Sequence, residues 1–384
     1  MPPTNPFRFG AVVRGDAFTD RADELAALVA DLTSGQDAVV IAGRRFGKTS
    51  LGLAAAERAS EEGVAVAYVD LMLAASKERL AGIIAGALAR DVLTRGRRGR
   101  DRVTDALRRL TLRPQVTVDE SGRLGFSFAV GAREADIDRT LDDLLELPGE
   151  LAGKGRRIAL MIDELPVVTR LDSSLLARMR AIFQAQSDVA HVYLGSERAF
   201  MERVFTRENE PFYRAARALR LGPIPPDLFA PFLIGRFVET GIRIEETLVR
   251  DGILARTGGH PHNTQAIAYF LWHEAVAAGG RAGDAELEAA FERLLDSDGA
   301  HWLAVVDVLA PGQRLVLAAL ARESGRPLTK DYRARHGLAS ESAVQKALAA
   351  LAARDLIARA ARGLWRIEDP LLQAWLLREE DRRR

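Results

Sequence analysis

Two pairs of neighbouring side chains carry the chemistry that this sequence offers. Lys48 and Thr49 fall within Ala38-Val39-Val40-Ile41-Ala42-Gly43-Arg44-Arg45-Phe46-Gly47-Lys48-Thr49-Ser50-Leu51, and Asp163 and Glu164 close Arg157-Ile158-Ala159-Leu160-Met161-Ile162. The first stretch is an apolar run, a glycine-bearing turn and an Ala/Leu-rich helical pattern, the order of a strand, a phosphate loop and a helix. Such a turn brings backbone N–H groups onto phosphate oxygens, which Gly43 and Gly47 permit by lacking Cβ. The helix that begins there adds its positive dipole end. Lys48 is placed to neutralise the β- and γ-phosphates of a nucleotide, and the Thr49 hydroxyl to ligate Mg²⁺. Gly43, Arg44, Arg45, Phe46, Gly47, Lys48, Thr49 and Ser50 are therefore the expected nucleotide contacts. The usual pattern, Gly-x-x-x-x-Gly-Lys-[Ser/Thr], has glycine where this chain has Ala42. Its Cβ is tolerable if Ala42 keeps strand-like dihedrals and Gly43 makes the turn.

In the second stretch an apolar strand ends in two carboxylates. Asp163 is placed to hold the Mg²⁺ shell together with Thr49, and Glu164 to orient or activate an attacking water. A further strand, His191-Val192-Tyr193-Leu194-Gly195-Ser196, ends in a hydroxyl that can sense the γ-phosphate or the water, with Arg198 just beyond. Lys48, Glu164, Ser196 and Arg198 are the catalytic candidates. This order sets phosphate loop and carboxylates at the carboxyl ends of parallel strands, where α/β sheets bind ligands.

The elements that must position these groups read as follows. Residues 1–15 form an extended lead-in rich in Pro and Gly. A helix opens near Phe18, capped by Thr19 or Asp20, with Leu25, Leu28, Val29 and Leu32 on its apolar face and Gly35 at its end. The phosphate-loop helix runs to about Glu62-Gly63. Val64 to Asp70 is a second buried parallel strand. Residues 76–112 read as helical, interrupted by the basic cluster Arg95 to Arg100, which fits a solvated connection better than a phosphate contact. A β-hairpin follows, with strands at Gln115 to Val118 and Leu124 to Val130 and Glu120-Ser121-Gly122 at its turn. Then come helices over Ile137 to Leu151 and Ser173 to Gln186, and a fifth strand over Leu219 to Ile224.

Composition narrows the class. The chain has 384 residues, 48% hydrophobic and 28% charged, with a net charge of +1 and no cysteine. That length predicts more than one domain. The lack of cysteine excludes disulfides and thiolate metal sites, and near-neutrality leaves nucleic-acid binding to a local patch. The first residues lack an apolar leader, and no run of about eighteen apolar residues occurs. A cytoplasmic protein with no membrane partner is the expectation. Neither a helical His pair with an intervening acid nor a nucleophile elbow is present, so a metalloprotease or serine-hydrolase reading has no support.

Taken together, Phe18-x-x-Arg21-x-x-Glu24-Leu25, the Gly43 to Leu51 loop, Asp163-Glu164, Gly195-Ser196, Thr257-Gly258-Gly259-His260-Pro261 and Asp369-Pro370-Leu371-Leu372-x-x-Trp375-Leu376 resemble the archaeal-type ATPase family. That family is a branch of P-loop NTPases close to the AAA+ and STAND classes. The resemblance covers nearly the whole chain. It implies an α/β ATPase core with a five-stranded parallel sheet over residues 1–225, carrying a helical and β-hairpin insertion at about 76–131. A helical lid over 226–300 and a winged helix-turn-helix domain over 301–384 would follow. It also implies ATP with Mg²⁺ as cofactors, Arg21 as a nucleotide contact, and His260-Pro261 as a lid element that touches the nucleotide; a capped helix start with surface histidines is the competing reading. Leu165-Pro166 stands where family members often carry an aromatic residue and Gln.

From Gln313 the pattern itself reads helix, helix, turn, helix and a strand pair. Ala343, Ala347, Leu348 and Leu351 are expected to face inward on a third helix capped by Ser340. Gln345, Lys346, Arg359, Arg362 and Arg366 are left to meet DNA, although Glu341 would repel phosphate. The leading function is an ATP-dependent conformational switch that hydrolyses slowly. The alternatives are a DNA-binding regulator or initiator-like protein, and a signalling or defence ATPase that assembles with itself or a protein partner, with Arg198, Arg214 or Arg217 reaching a neighbour's nucleotide.

Overall fold

The computed structural model describes residues 4–13, 15, 20–92, 107–118, 124–129, 131–152 and 157–382. The chain divides into two compact units. One comprises Arg21–Arg44 and Lys48–Leu221, the other Met1–Asp20, Arg45–Gly47 and Gly222–Arg384. Among the described residues no helix is long and apolar enough to cross a membrane.

The first unit is built on β1 (Ala38–Ile41), β2 (Val64–Asp70), β3 (Gln115–Val118), β4 (Leu124–Ser127), β5 (Arg157–Asp163), β6 (Val189–Gly195) and β7 (Arg217–Arg220). Five of these form one parallel sheet in the order β2-β5-β6-β1-β7, and β3 pairs with β4 as a separate antiparallel hairpin. The central strands are near-continuous apolar runs because both faces are covered: every residue of β1 and of β6 is buried. The helix Lys48–Glu61 packs close above them. A Cβ on Gly52 would lie 2.9 Å from Leu194 Cδ1 and 3.0 Å from Met161 Sδ, so this approach needs glycine.

Register places the chemistry. Ile41 pairs with Gly195, Ile162 with Tyr193, and Asp70 with Asp163. The carboxyl ends of β1, β2, β5 and β6 therefore lie along one edge, and the loops leaving them emerge side by side.

Several elements depart from the expectations. The helix Ala22–Ser34 buries Leu25, Leu28, Val29 and Leu32 and stops at Gly35, but Arg21 occupies its N-cap position with φ 70° and no side-chain cap bond. Thr19 or Asp20 was the expected cap; Phe18 and Thr19 lie outside the described residues, as do the cluster Arg95 to Arg100 and the turn Glu120-Ser121-Gly122. The single helix expected over Ser173 to Gln186 is Leu175–Phe183, preceded by a short helix Val167–Leu171. Asp172 separates the two, with its carboxylate accepting from Ser174 N and Oγ at 2.8 Å each, a local bond that competes with the helix ladder. The fifth strand is Arg217–Arg220 rather than Leu219 to Ile224, because the chain departs at Gly222-Pro223.

The second unit has its own apolar core. Helices Pro226–Glu239, Pro261–Ala277 and Asp284–Asp307 come first, with a π-helical turn Leu248–Leu254. Pro311–Arg322, Lys330–Arg335 and Glu341–Ala353 follow, then the antiparallel pair β8 (Ile357–Ala361) and β9 (Leu364–Ile367), and a last helix Pro370–Asp381. Gly363 turns the wing at φ 76°, and Trp365 exchanges both backbone hydrogen bonds with Gly325. In Glu341–Ala353 the buried set is Val344, Ala347, Leu348 and Leu351, whereas Ala343 is exposed. The larger Val344 takes the inward position on the same i, i+3, i+4, i+7 stripe. Ser340 is the N-cap, but its Oγ meets Ser342 Oγ instead of a helix amide. The lead-in is anchored: Phe7 is buried with its ring 4.5 Å from that of Phe237, and Asn5 Nδ2 donates to Tyr269 O at 3.0 Å.

Candidate functional site

The strand-loop-helix begins with β1 and enters its helix at Lys48. Ala42 is buried and keeps a negative φ, as its Cβ requires. The left-handed residues are Arg45 at φ 63° and Gly47 at φ 85°, and Gly43 is not among them. The turn thus lies further along the loop than expected, and a side-chain-bearing residue takes a conformation that costs roughly 1 kcal/mol. Lys48 is buried, and its Nζ donates to Gly43 O at 2.9 Å across the loop. Ser50 is buried on the first helical turn, and Arg44 is exposed.

Thr49 Oγ1 donates to Asp163 Oδ2 at 2.7 Å. Tyr68, from β2, donates its hydroxyl to the same oxygen at 2.7 Å, and Glu164 N donates to Asp163 Oδ1 at 2.9 Å. Asp163 is only 3% exposed. Burial, and then the negative charge of Asp163, push the Tyr68 phenol well above its ordinary range. The sequence reading missed Tyr68. The signal for it was a hydroxyl-bearing residue near the carboxyl end of the strand beside β5.

Glu164 sits at φ 57°, the conformation in which an L-residue is strained. Its neighbours hold it there: Leu165 N donates to Leu194 O, and Val167 N to Glu164 O, both at 3.0 Å. Pro166, with φ fixed at −53°, starts the helix Val167–Leu171 immediately behind. A Cβ on Gly195 would meet Met201 Sδ at 2.5 Å and Pro166 Cδ at 3.0 Å, so glycine lets β6 close against this turn. Ser196 then donates from Oγ at 2.8 Å and from N at 3.2 Å to Glu164 Oε2. Lys48, Thr49, Asp163, Glu164 and Ser196 therefore all belong to the sheet unit, with hydrogen bonds joining Thr49 to Asp163 and Ser196 to Glu164.

The remaining site residues lie elsewhere. Arg198 is exposed, with Nε 3.5 Å from Glu202 Oε1. Arg21 is 6% exposed and pairs with Glu24 at 2.9 Å. Arg217 forks onto Asp31, and Arg214 is left-handed at φ 53°.

Within the other unit, Arg45 Nη1 lies 3.2 Å from His262 Nε2, and the Phe46 ring meets that of His260 edge-on at 4.3 Å. Burial, then the cationic Arg45, push the His262 imidazole down to about 3, so it is neutral at ordinary pH. His260 caps the helix Pro261–Ala277, its Nδ1 accepting from Asn263 N at 3.4 Å, with Pro261 in the first turn. Asn263 Nδ2 donates at 2.6 Å to Asp369 Oδ1, which also caps the last helix through Leu371 N at 2.9 Å. The Gly-His-Pro and Asp-Pro-Leu-Leu segments thus meet through Asn263. Gly259, at φ 70°, accepts from Ile224 N at 2.9 Å, and a Cβ there would lie 2.3 Å from Ile224 O. Gly259→Ala is expected to cost about 2 kcal/mol or more, from the left-handed backbone and the displaced carbonyl. A denaturant midpoint equal to that of the wild type would refute this account of the turn.

Among the described residues no group of three or more His, Asp or Glu side chains gathers to hold a metal by itself. The donors at Thr49 and Asp163 are hard oxygens supplied by one hydroxyl and one carboxylate. That set fits Mg²⁺, which takes few protein ligands and fills its octahedron with water and phosphate oxygens.

The five-stranded parallel sheet with its phosphate-loop motif, the helical region after it and the three-helix-and-wing segment define an AAA+-type P-loop ATPase fold with a C-terminal winged helix. Residues 300–378 match a family described as a probable winged helix domain. The Walker-type ATPase of Pyrococcus abyssi is similar over 95% of this chain and 97% of its own, with a TM-score of 0.64 at 18% identity. The ORC2 protein of Aeropyrum pernix, in its ADPNP–ADP complexes, gives a TM-score of 0.54 at 14% identity, over 98% of this chain and 99% of its own. The ORC1 protein of Aeropyrum pernix in complex with DNA gives 0.50 at 16% identity, over 95% and 94%. No curated protein matches.

Proposed function

We propose that this chain binds ATP with Mg²⁺ at the loop Gly43 to Ser50, hydrolyses it slowly, and acts as a switch whose lid (226–300) and winged helix (301–384) rearrange between nucleotide states. The observation that carries this reading is the set formed by Thr49 on Asp163 at 2.7 Å, Lys48 at the start of the loop helix, and Glu164 beside them. Loop amides and Lys48 bind the phosphates, and Thr49 and Asp163 hold the ion. Mg²⁺, when bound, neutralises charge on the phosphate oxygens. Glu164 orients the attacking water and takes its proton at Oε1. Ser196 engages Oε2 with both of its donors, so the water has one carboxylate oxygen to meet instead of two, in keeping with slow turnover. Arg21 adds to the nucleotide contacts in this reading, and Arg198 stays exposed to serve a phosphate presented by a neighbour. The loop itself does not distinguish ATP from GTP; the resemblance favours ATP.

The test is calorimetric binding of ATP with Mg²⁺ and with EDTA, alongside release of inorganic phosphate. Mg²⁺-dependent binding in the micromolar range with measurable release is expected. No binding at millimolar ATP would sink the proposal.

A second reading, contact with duplex DNA, is favoured by the wing. Gln345, Lys346, Arg359, Arg362 and Arg366 are all exposed, with the Arg359 guanidinium over the Trp365 ring at 4.9 Å. Replacing Arg359, Arg362 and Arg366 together with alanine is expected to weaken duplex binding and to reduce its salt slope by about 3 if each meets a phosphate. An unchanged slope would remove the wing from the interface.

A further inference from the structure

Among the described residues, Tyr68 is the one group hydrogen-bonded to the Asp163 carboxylate that the phosphate-loop chemistry does not already account for. It lies on β2, one of the two edge strands of the sheet, two residues before Asp70, which pairs in register with Asp163. The outer side of an edge strand has no neighbouring strand to pair with its amides. Here Tyr68 N instead donates to Asp91 Oδ2 at 3.2 Å, from the π-helical turn Leu88–Val92. The backbone of Tyr68 is thus tied to the helical segment that follows β2, while its hydroxyl reaches Asp163 Oδ2 at 2.7 Å.

An ionised carboxylate has about four lone-pair sites. Thr49, Tyr68 and Glu164 N occupy three of those on Asp163, leaving capacity for one more donor. Thr49 and Glu164 N alone approach from the two chain segments that the nucleotide itself engages. Tyr68 comes from a third strand, so it restrains the carboxylate independently of the loop. We infer that Tyr68 is a positioning residue that fixes Asp163 in the rotamer that receives the Mg²⁺ shell, with Asp91 holding Tyr68 in register. This rests on the function proposed above.

Partners of metal ligands of this kind are worth about 10–100-fold in metal affinity. Because Asp163 keeps two other donors, the lower end applies. In the full-length chain, Mg²⁺ titrated against binding of a fluorescent non-hydrolysable ATP analogue reads the effect without turnover. Tyr68→Phe is expected to raise the half-saturating Mg²⁺ concentration about tenfold, with the analogue's affinity in EDTA unchanged. A role limited to packing would leave the Mg²⁺ curve unmoved, since the ring is retained. An unchanged or lowered half-saturation in Tyr68→Phe, with Mg²⁺-dependent binding intact in the wild type, would overturn this inference and leave the proposed function standing. Absence of Mg²⁺-dependent binding in the wild type would overturn both. If Tyr68→Phe does not fold, Asp91→Ala, which removes the oxygen that accepts from Tyr68 N, tests the same link, with a smaller shift in the same direction expected and no shift overturning it.

Discussion

Glu164→Gln is expected to keep ATP bound and to slow its hydrolysis by about 10²–10⁴-fold, the usual contribution of a positioned base. The substitution is nearly isosteric. A glutamine carbonyl oxygen can accept the same two donors from Ser196 that Oε2 accepts now, at 2.8 Å from Oγ and 3.2 Å from N. Asp163 still receives the backbone N–H of residue 164, because that bond does not involve the side chain. What the amide cannot do is take a proton from water. Binding and turnover should therefore separate: an ATP dissociation constant within about twofold of the wild type, and phosphate release lost. Glu164 also holds a left-handed backbone at φ 57°, and glutamine inherits that strain, so the melting temperature should move little. Wild-type turnover in Glu164→Gln would show that another group handles the water.

The parts of the fold that were legible are those whose pattern is local. β2 and β5 occupy the stretches read as strands, because a strand covered on both faces is apolar almost without interruption and its ends are marked by Asp70 and Asp163. The hairpin and the wing are legible through another local pattern, a strand pair around a turn residue such as Gly363. What failed depended on distant partners. The left-handed position at Arg45 follows no residue preference; among the described contacts the Arg45 side chain finds His262, more than two hundred positions away. Phe7 is one apolar residue in an irregular segment, and only packing against distant residues such as Phe237 makes it part of a core. Tyr68 lies in a run with no alternation, so nothing in the sequence says which of its residues turns a polar tip toward the neighbouring strand's carboxylate. In Glu341–Ala353 the inward stripe through Ala347, Leu348 and Leu351 is legible, and only its first member differs, because Ala343 and Val344 both fit there and volume decides between them.

Lys48→Ala is expected to weaken ATP binding by about 100-fold, the equivalent of 2–3 kcal/mol for a charge-assisted hydrogen bond to phosphate. In this structure the ammonium is already buried at 5% exposure and spans the loop to Gly43 O at 2.9 Å, so it need not be dehydrated when a phosphate arrives. Stability should change far less than affinity. Alanine is the best helix former at the start of the helix Lys48–Glu61, and the change also removes the cost of a buried charge. Calorimetry with ATP and Mg²⁺, paired with a melting curve, separates the two effects. Wild-type affinity in Lys48→Ala would contradict the assignment of this loop to phosphate. Lys48→Arg refines the test. It retains the charge but replaces a compact ammonium with a broader planar fork in a space closed by the loop's own backbone. Recovery of full affinity by arginine would mean that charge alone suffices. Recovery of less than about tenfold would mean that the loop selects the reach and shape of lysine.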